Sequence, residues 1–351
     1  MKRMISLLLA LMMILSLCAC GGKTEESKAP ESSGGSSAAP ADKEVTLTLA
    51  HIRPEGSPAD VAIKAFCDEV AEKTNGTVKF EIYPASQMGD YTTVFERVMV
   101  GDVDMQFATV PSSVDKFFGI GNAPAVAATW AEAKMVYGTG SELQGIFTEK
   151  LAGYGIKDLC MYPLYFGGIA LGVDPVDPTN PDAKNGIKIR VPSMLSFERY
   201  ATELGYLGTP LPSSETFTSM QTGVVDGAIG MGAEGYYSNL ADLVKYFLPI
   251  NDHFETWHLI INMDKFDSLS DAQKAALEEA AVNLENNRWE VAEAETDEYI
   301  QKLKDKGATI VEFTDEELTA IANKIRANVW PLLGAEYGEA EWELVTSSVS
   351  K

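Results

Sequence analysis

Short alternating runs of apolar residues, separated by longer amphipathic stretches, organise this chain. Val45-Thr46-Leu47-Thr48-Leu49-Ala50 alternates and is rich in β-formers, which predicts a strand. His51 to Gly56 then turns, and Ser57-Pro58-Ala59-Asp60 opens a helix, with serine at the cap and proline at the first helical position. That helix is predicted to reach about Lys73 and to stop at Thr74-Asn75-Gly76. A strand from Val78 to Tyr83, a loop through Pro84 and Gly89, a helix from about Thr92 to Val100 and a strand near Val103 to Ala108 complete a βαβαβ unit. Such a unit implies right-handed crossovers and a parallel type of sheet.

The plan resumes with a strand region from Met161 to Val173, a strand from Ile187 to Val191, and helices from Met194 to Leu204 and from Ser213 to Thr222. Gly223-Val224-Val225-Asp226-Gly227-Ala228-Ile229 reads as a short strand bracketed by glycines, and no close internal sequence repeat accompanies the repeated plan. Ser270-Asp271-Ala272-Gln273 is a capping box that launches a segment free of Gly and Pro as far as Lys306, with lysines in its last turn and Gly307 beyond. At ~1.5 Å per residue this helix would be roughly 50 Å long, longer than one small domain, so it is expected to brace two lobes. Its Asp and Glu residues read as a solvated face. A second capping box, Thr314-Asp315-Glu316-Glu317, opens a shorter helix to about Asn328. The expected fold is α/β, with two lobes of mostly parallel sheet flanked by helices and one long helix bridging them.

The first residues add a cellular address. Lys2 and Arg3 precede an apolar run from Met4 to Leu17, too short to cross a bilayer and stay, and then comes Leu17-Cys18-Ala19-Cys20-Gly21-Gly22. This describes a secretory signal over residues 1–19, and Leu-x-Ala-Cys resembles the bacterial lipobox, in which the cysteine, here Cys20, carries the lipid. Residues 20–43 are mostly Gly, Ser, Ala, Pro, Lys and Glu without an aromatic, which predicts a flexible tether. The expected location is the outer face of the cell membrane, as a lipoprotein.

Formal charge is −23 with no basic cluster outside the signal, which excludes nucleic acid as an expected partner. Cys67 and Cys160 read as buried thiols, with a disulfide between them left open, and His51, His253 and His258 show no zinc-like spacing with cysteine. No metal or cofactor is expected. The chain contains no nucleophile elbow, no H-E-x-x-H and no Walker A, and Gly138-Thr139-Gly140 is only two glycines in a loop. One charge stands out. Gly186-Ile187-Lys188-Ile189-Arg190-Val191-Pro192 places an arginine inside a β-branched run closed by proline. A guanidinium cannot shed its charge when buried, so Arg190 needs an anionic partner or a wet cavity; a structural salt bridge or a solvent-facing side chain are the plain alternatives.

That segment, followed by Thr209-Pro210-Leu211-Pro212-Ser213-Ser214-Glu215 and Met220-Gln221-Thr222-Gly223-Val224-Val225-Asp226-Gly227, resembles the extracytoplasmic solute-binding subunits of TRAP transporters. Tyr83-Pro84-Ala85-Ser86-Gln87-Met88-Gly89, Gly101-Asp102-Val103-Asp104-Met105 and Phe266-Asp267-Ser268-Leu269-Ser270 support the resemblance, which covers roughly Val45 to Asn328. It implies a two-lobe protein that closes over a small organic carboxylate and delivers it to a sodium-gradient-driven membrane permease, with no chemistry on the ligand. By the same resemblance Arg190 is the carboxylate clamp. Other family contacts do not carry over: the second arginine would fall near Ile169 or Ala170, the usual amide after the Val-Val strand is replaced in Asp226-Gly227-Ala228-Ile229-Gly230, and Ser213 stands where an aromatic is common.

Residues at strand ends facing the expected cleft are candidates to complete the pocket: His51 and Arg53, Tyr91, Thr109, Tyr165 and Phe166, Ser213, Gly230, Glu234, Tyr236 and Tyr237. Trp257 and Trp289 read as core. One lobe is expected from residues 44–166 with about 256–293, the other from 167–255 with about 294–351. An ABC-type binding lipoprotein and a secreted enzyme on a similar body are the competing readings.

Overall fold

A computed structural model describes residues 42–349; the signal, Cys20 and nearly all of the tether lie outside the described residues. The first stretch follows the alternation. β1 (Val45–His51), α1 (Pro58–Lys73), β2 (Val78–Tyr83), α2 (Tyr91–Met99) and β3 (Met105–Ala108) form two helix-containing crossovers, with β1 parallel to both β2 and β3. Ser57 caps α1 by accepting from the Asp60 amide, with Pro58 at the first helical position.

α3 (Trp130–Tyr137) and α4 (Glu142–Gly153) follow, and β4 (Ile156–Phe166) passes through Gly167 into β5 (Gly168–Leu171). Then come β6 (Lys188–Val191), α5 (Leu195–Glu203), β7 (Leu207–Pro210), α6 (Thr216–Gln221), β8 (Gly227–Met231), α7 (Ala233–Leu240), β9 (Tyr246–Leu248), β10 (Phe254–Asn262) and α8 (Met263–Asp267). The chain ends with α9 (Asp271–Asp305), β11 (Thr309–Ile310), α10 (Asp315–Asn328), α11 (Gly334–Tyr337) and α12 (Glu339–Val349). β8 begins later than its Val-Val pair suggests. Gly223, at φ 73°, closes α6 in the left-handed region, and the Val224 amide donates back to the Ser219 carbonyl at 2.9 Å, so both valines belong to the helix stop.

Two sheets result, ordered β2-β1-β3-β10-β4 and β11-β9-β5-β8-β6-β7. Their parallel βα parts are completed by antiparallel strands wherever the chain passes between them: β10 runs against β3 and β4, and β5 against β8 and β9. The two passages, through Gly167 and through residues 249–253, touch each other, because the Gly167 amide donates to the His253 carbonyl at 2.8 Å.

α9 is the predicted long helix, 35 residues with both halves of its capping box formed. It packs on α1 and β4 at one end and on α7 and β11 at the other, burying Leu277, Ala281 and Leu284 against the first sheet and Leu303 against the second. β4 is an edge strand, which is why Pro163 is tolerated there, and Arg288 of α9 covers that edge by donating to the Pro163 carbonyl (2.9 Å) and to the Leu164 carbonyl. Not all the helix acids are solvated: Glu285 is buried, accepts from Thr139 Oγ1 at 2.6 Å and has its pKa raised by burial. Cys67 and Cys160 are both free and buried, which closes the disulfide question in favour of thiols.

Candidate functional site

The C-terminal ends of the parallel strands in both sheets converge on one cavity, the place where open α/β sheets collect loop amides and helix N-termini. β1 contributes Ile52 and Arg53 just beyond its end, β3 contributes Thr109, and β10, being antiparallel, contributes the start of its run, Glu255 and Trp257. Tyr165 comes from the end of β4. From the second sheet come Arg190 of β6 and Pro192 just beyond it, Gly230 and Met231 of β8, and Ser213 beyond β7; Tyr91 closes one side from the first turn of α2. About 40 Å³ of open space remains inside, room for one or two waters. A larger groove, of about 440 Å³, lies elsewhere, between α1 and α9; it is mainly apolar and holds none of the charged groups that gather around Arg190.

Arg190 is third of the four residues of β6, opposite Thr209 on β7 and Ala228 on β8. Its side chain is pinned by carbonyls: Nε donates to Leu211 at 2.9 Å and Nη1 to Ile229 at 3.4 Å. It is 2% exposed, and among the described residues no carboxylate makes an ion pair with it. Burial accordingly pulls its pKa below the ordinary arginine value, with only partial relief from Tyr91, Tyr236, Tyr165 and Glu255.

Arg53 is the contrast. It too is buried, yet it donates to Tyr165 Oη at 2.6 Å, lies 3.3 Å from Glu234, and sits over the Trp257 ring at 5.3 Å. Burial opposes its charge, but the Tyr165 hydroxyl and the Glu234 and Glu255 carboxylates outweigh burial, and its pKa is raised. Gly235 makes room for it, since a Cβ there would meet Arg53 Nη2 at 3.0 Å. One guanidinium in the cavity is therefore neutralised by the protein and the other is not.

The acidic side of the cavity is Glu255. Trp257 Nε1 donates to its Oε1 at 3.1 Å, Asn122 donates to its Oε2, and Thr109 Oγ1 bonds Asn122 at 3.1 Å. A register shift between Glu255 and Thr256 where β10 meets β4 sets the cross-strand pair Glu255 and Tyr165, as bulges beside sites often do. Behind Glu255 lies His253, with Nε2 at 3.5 Å from Oε2 and Nδ1 at 2.7 Å from Asp252, which also accepts from Tyr200. Burial opposes the His253 charge, but Asp252 and Glu255 on either side overcome it and hold its pKa at about 9.

Of the residues expected from sequence, Arg53, Arg190, Tyr91, Thr109, Tyr165, Ser213 and Gly230 line this cavity. His51, Phe166, Glu234, Tyr236 and Tyr237 stand outside the lining, Tyr236 with its hydroxyl donating to the Gly168 and Ala228 carbonyls. His51 bonds Asp60 at 3.1 Å inside the first turn of α1, and its pKa is lowered, burial outweighing Asp60. Phe166 packs against Trp130 and Phe254, Tyr237 packs edge-on to Tyr299, and Glu234 acts on the cavity only through Arg53. Trp257 is core and lining at once, whereas Trp289 stacks on Phe254. Asn122, Glu255, Met194, Phe197 and Met231 had no sequence signal; the second cation comes from the end of β1 rather than from Ile169 or Ala170.

A family model described as bacterial extracellular solute-binding protein, family 7, matches residues 49–331. The chain belongs to this family. Curated relatives of this family 7 protein include the C4-dicarboxylate-binding periplasmic protein DctP of Rhodobacter capsulatus, 26% identical over 285 residues, 79% of this chain and 83% of the relative. Its fold matches the sugar acid binding protein of Advenella mimigardefordensis in complex with galactonate, with a TM-score of 0.81 at 21% identity over 88% of this chain and 98% of the other. A TRAP periplasmic solute-binding protein of Haemophilus influenzae with bound L-gulonate matches with a TM-score of 0.78 at 21% identity, covering 86% and 98% of the two chains. Membership places the family 7 protein outside the cytoplasm. Among the described residues no helix is long and apolar enough to cross a membrane.

Proposed function

We propose that this family 7 protein is the solute receptor of a TRAP transporter, taking a small organic acid into the cavity and handing it to a membrane permease driven by a sodium gradient. The observation that carries the reading is Arg190, a buried guanidinium held in place by two carbonyls and left without a carboxylate. A ligand carboxylate supplies the missing charge and meets the guanidinium's fork geometry. Tyr91, Thr109, Tyr165 and Ser213 complete the polar wall. Nothing in the cavity pairs a nucleophile with a base, and the ligand leaves unchanged.

In this reading the strands of each sheet belong to one lobe, and the passages at Gly167 and at residues 249–253 are the hinge. Ligand entry requires the lobes to part, because about 40 Å³ cannot admit an acid of several carbons. Cys20 carries the lipid and residues 20–43 tether the receptor to the outer face of the membrane. Galactonate and L-gulonate in similar folds make aldonates the first acids to try.

The test is a thermal-shift panel of aldonates, uronates, dicarboxylates and neutral sugars on the purified body. A receptor for acids is stabilised by about 2.7 kcal/mol at a ligand concentration 100-fold above Kd, and neutral sugars leave it unmoved. Stabilisation by neutral sugars and by no acid would overturn the proposal.

A further inference from the structure

We infer that Glu255 makes this site selective for monocarboxylic acids that carry a hydrogen-bond donor, a hydroxyl or an ammonium group, away from the carboxylate, and that it excludes dicarboxylates. The inference rests on the receptor reading and deepens it. Its ground is the charge balance around the cavity. Arg53 is matched by Glu234 at 3.3 Å, so only Arg190 offers an uncommitted positive charge. One carboxylate satisfies it.

A second ligand carboxylate would meet Glu255, 7% exposed, whose Oε2 already receives Asn122 and faces His253. His253 brings no spare charge, because it is shared with Asp252 at 2.7 Å. Oε1 accepts one bond, from Trp257 Nε1 at 3.1 Å, and an ionised carboxylate oxygen has capacity for another. What fits there is a donor. Two carboxylates forced together in a dry cavity repel, whereas a hydroxyl or ammonium fills the remaining lone pair.

Calorimetric titration of the wild-type protein with gluconate, galactonate, alanine, serine, succinate and fumarate separates the cases. Succinate and fumarate are expected to bind at least about 100-fold more weakly than the best donor-bearing monocarboxylate, the size of a like-charge penalty. The aldonates and the amino acids distinguish hydroxyl from ammonium as the donor. Glu255→Gln keeps the shape, removes the charge and should narrow the ratio to within about tenfold. Dicarboxylates binding the wild type as tightly as monocarboxylates would overturn the inference, as would a Glu255→Gln protein that folds and keeps the wild-type ratio. The wild-type ratio alone decides should the variant not fold. If no acid binds at all, the receptor reading fails instead.

Discussion

His253 makes folding stability fall with rising pH. Its imidazole is fully buried between Asp252 and Glu255, with a pKa of about 9 in the folded protein against an ordinary value near 6.5. A raised folded-state pKa stabilises the fold fully below the unfolded value and loses that stabilisation as pH climbs through the folded one. The window is therefore pH 6.5 to 9, and the drop is about 3.5 kcal/mol at most, from about 1.4 kcal/mol per tenfold change in proton affinity. His51 has its pKa lowered by burial and acts in the opposite sense, below about 6.5, so it does not mask the effect. Urea unfolding of the ligand-free protein from pH 6 to about 8.5, below the range where unfolded thiols ionise, measures it, with His253→Asn as the control expected to flatten the curve there. A wild-type free energy that stays level over that range, or a variant with the same slope, would refute the imidazolium between two carboxylates.

Three further outcomes follow from the same geometry. Gly167→Ala would place a Cβ 2.1 Å from His253 Cε1 and 2.9 Å from Asp252 Oδ1, so the unfolding free energy from a urea titration should fall by about 1 to 3 kcal/mol; an unchanged midpoint would mean the passage is loose. Glu234→Ala leaves Arg53 buried without its carboxylate and should destabilise the protein by about 3 to 5 kcal/mol, measured the same way. Cys67 and Cys160 are buried with raised pKa values, so a thiol reagent should label neither in the native protein and both after denaturation; rapid native labelling would contradict their burial.

Alternation, capping boxes and proline-glycine punctuation make the βα units and α9 legible in the sequence, because each of those signals is local. β10 is not legible in the same way. All nine of its residues are buried, so it shows no alternation, and the run Phe254-Glu255-Thr256-Trp257-His258 carries too many polar groups to suggest a central strand. Glu255 and the lining role of Trp257 are hidden with it. Arg53 is visible as a strand-end cation, but its pairing with Glu234 joins residues 181 positions apart and follows only from the two sheets meeting. Arg190 is legible for the opposite reason. Its strand, its proline stop and its uncancelled charge all sit within one short segment.

The central claim is that Arg190 exists to meet a ligand carboxylate and not to hold the fold together, and Arg190→Met addresses both halves in one preparation. In the ligand-free protein, relief of an uncompensated buried charge offsets the loss of donors to the Leu211 and Ile229 carbonyls, so the unfolding free energy should stay within about 2 kcal/mol of wild type. Affinity for the acid that the wild type binds best should fall by about 2 to 5 kcal/mol, roughly 30- to 5,000-fold, in calorimetric titration. A variant that loses about 3 to 5 kcal/mol of stability yet binds that acid as before would show Arg190 to be a structural residue and the account to be wrong.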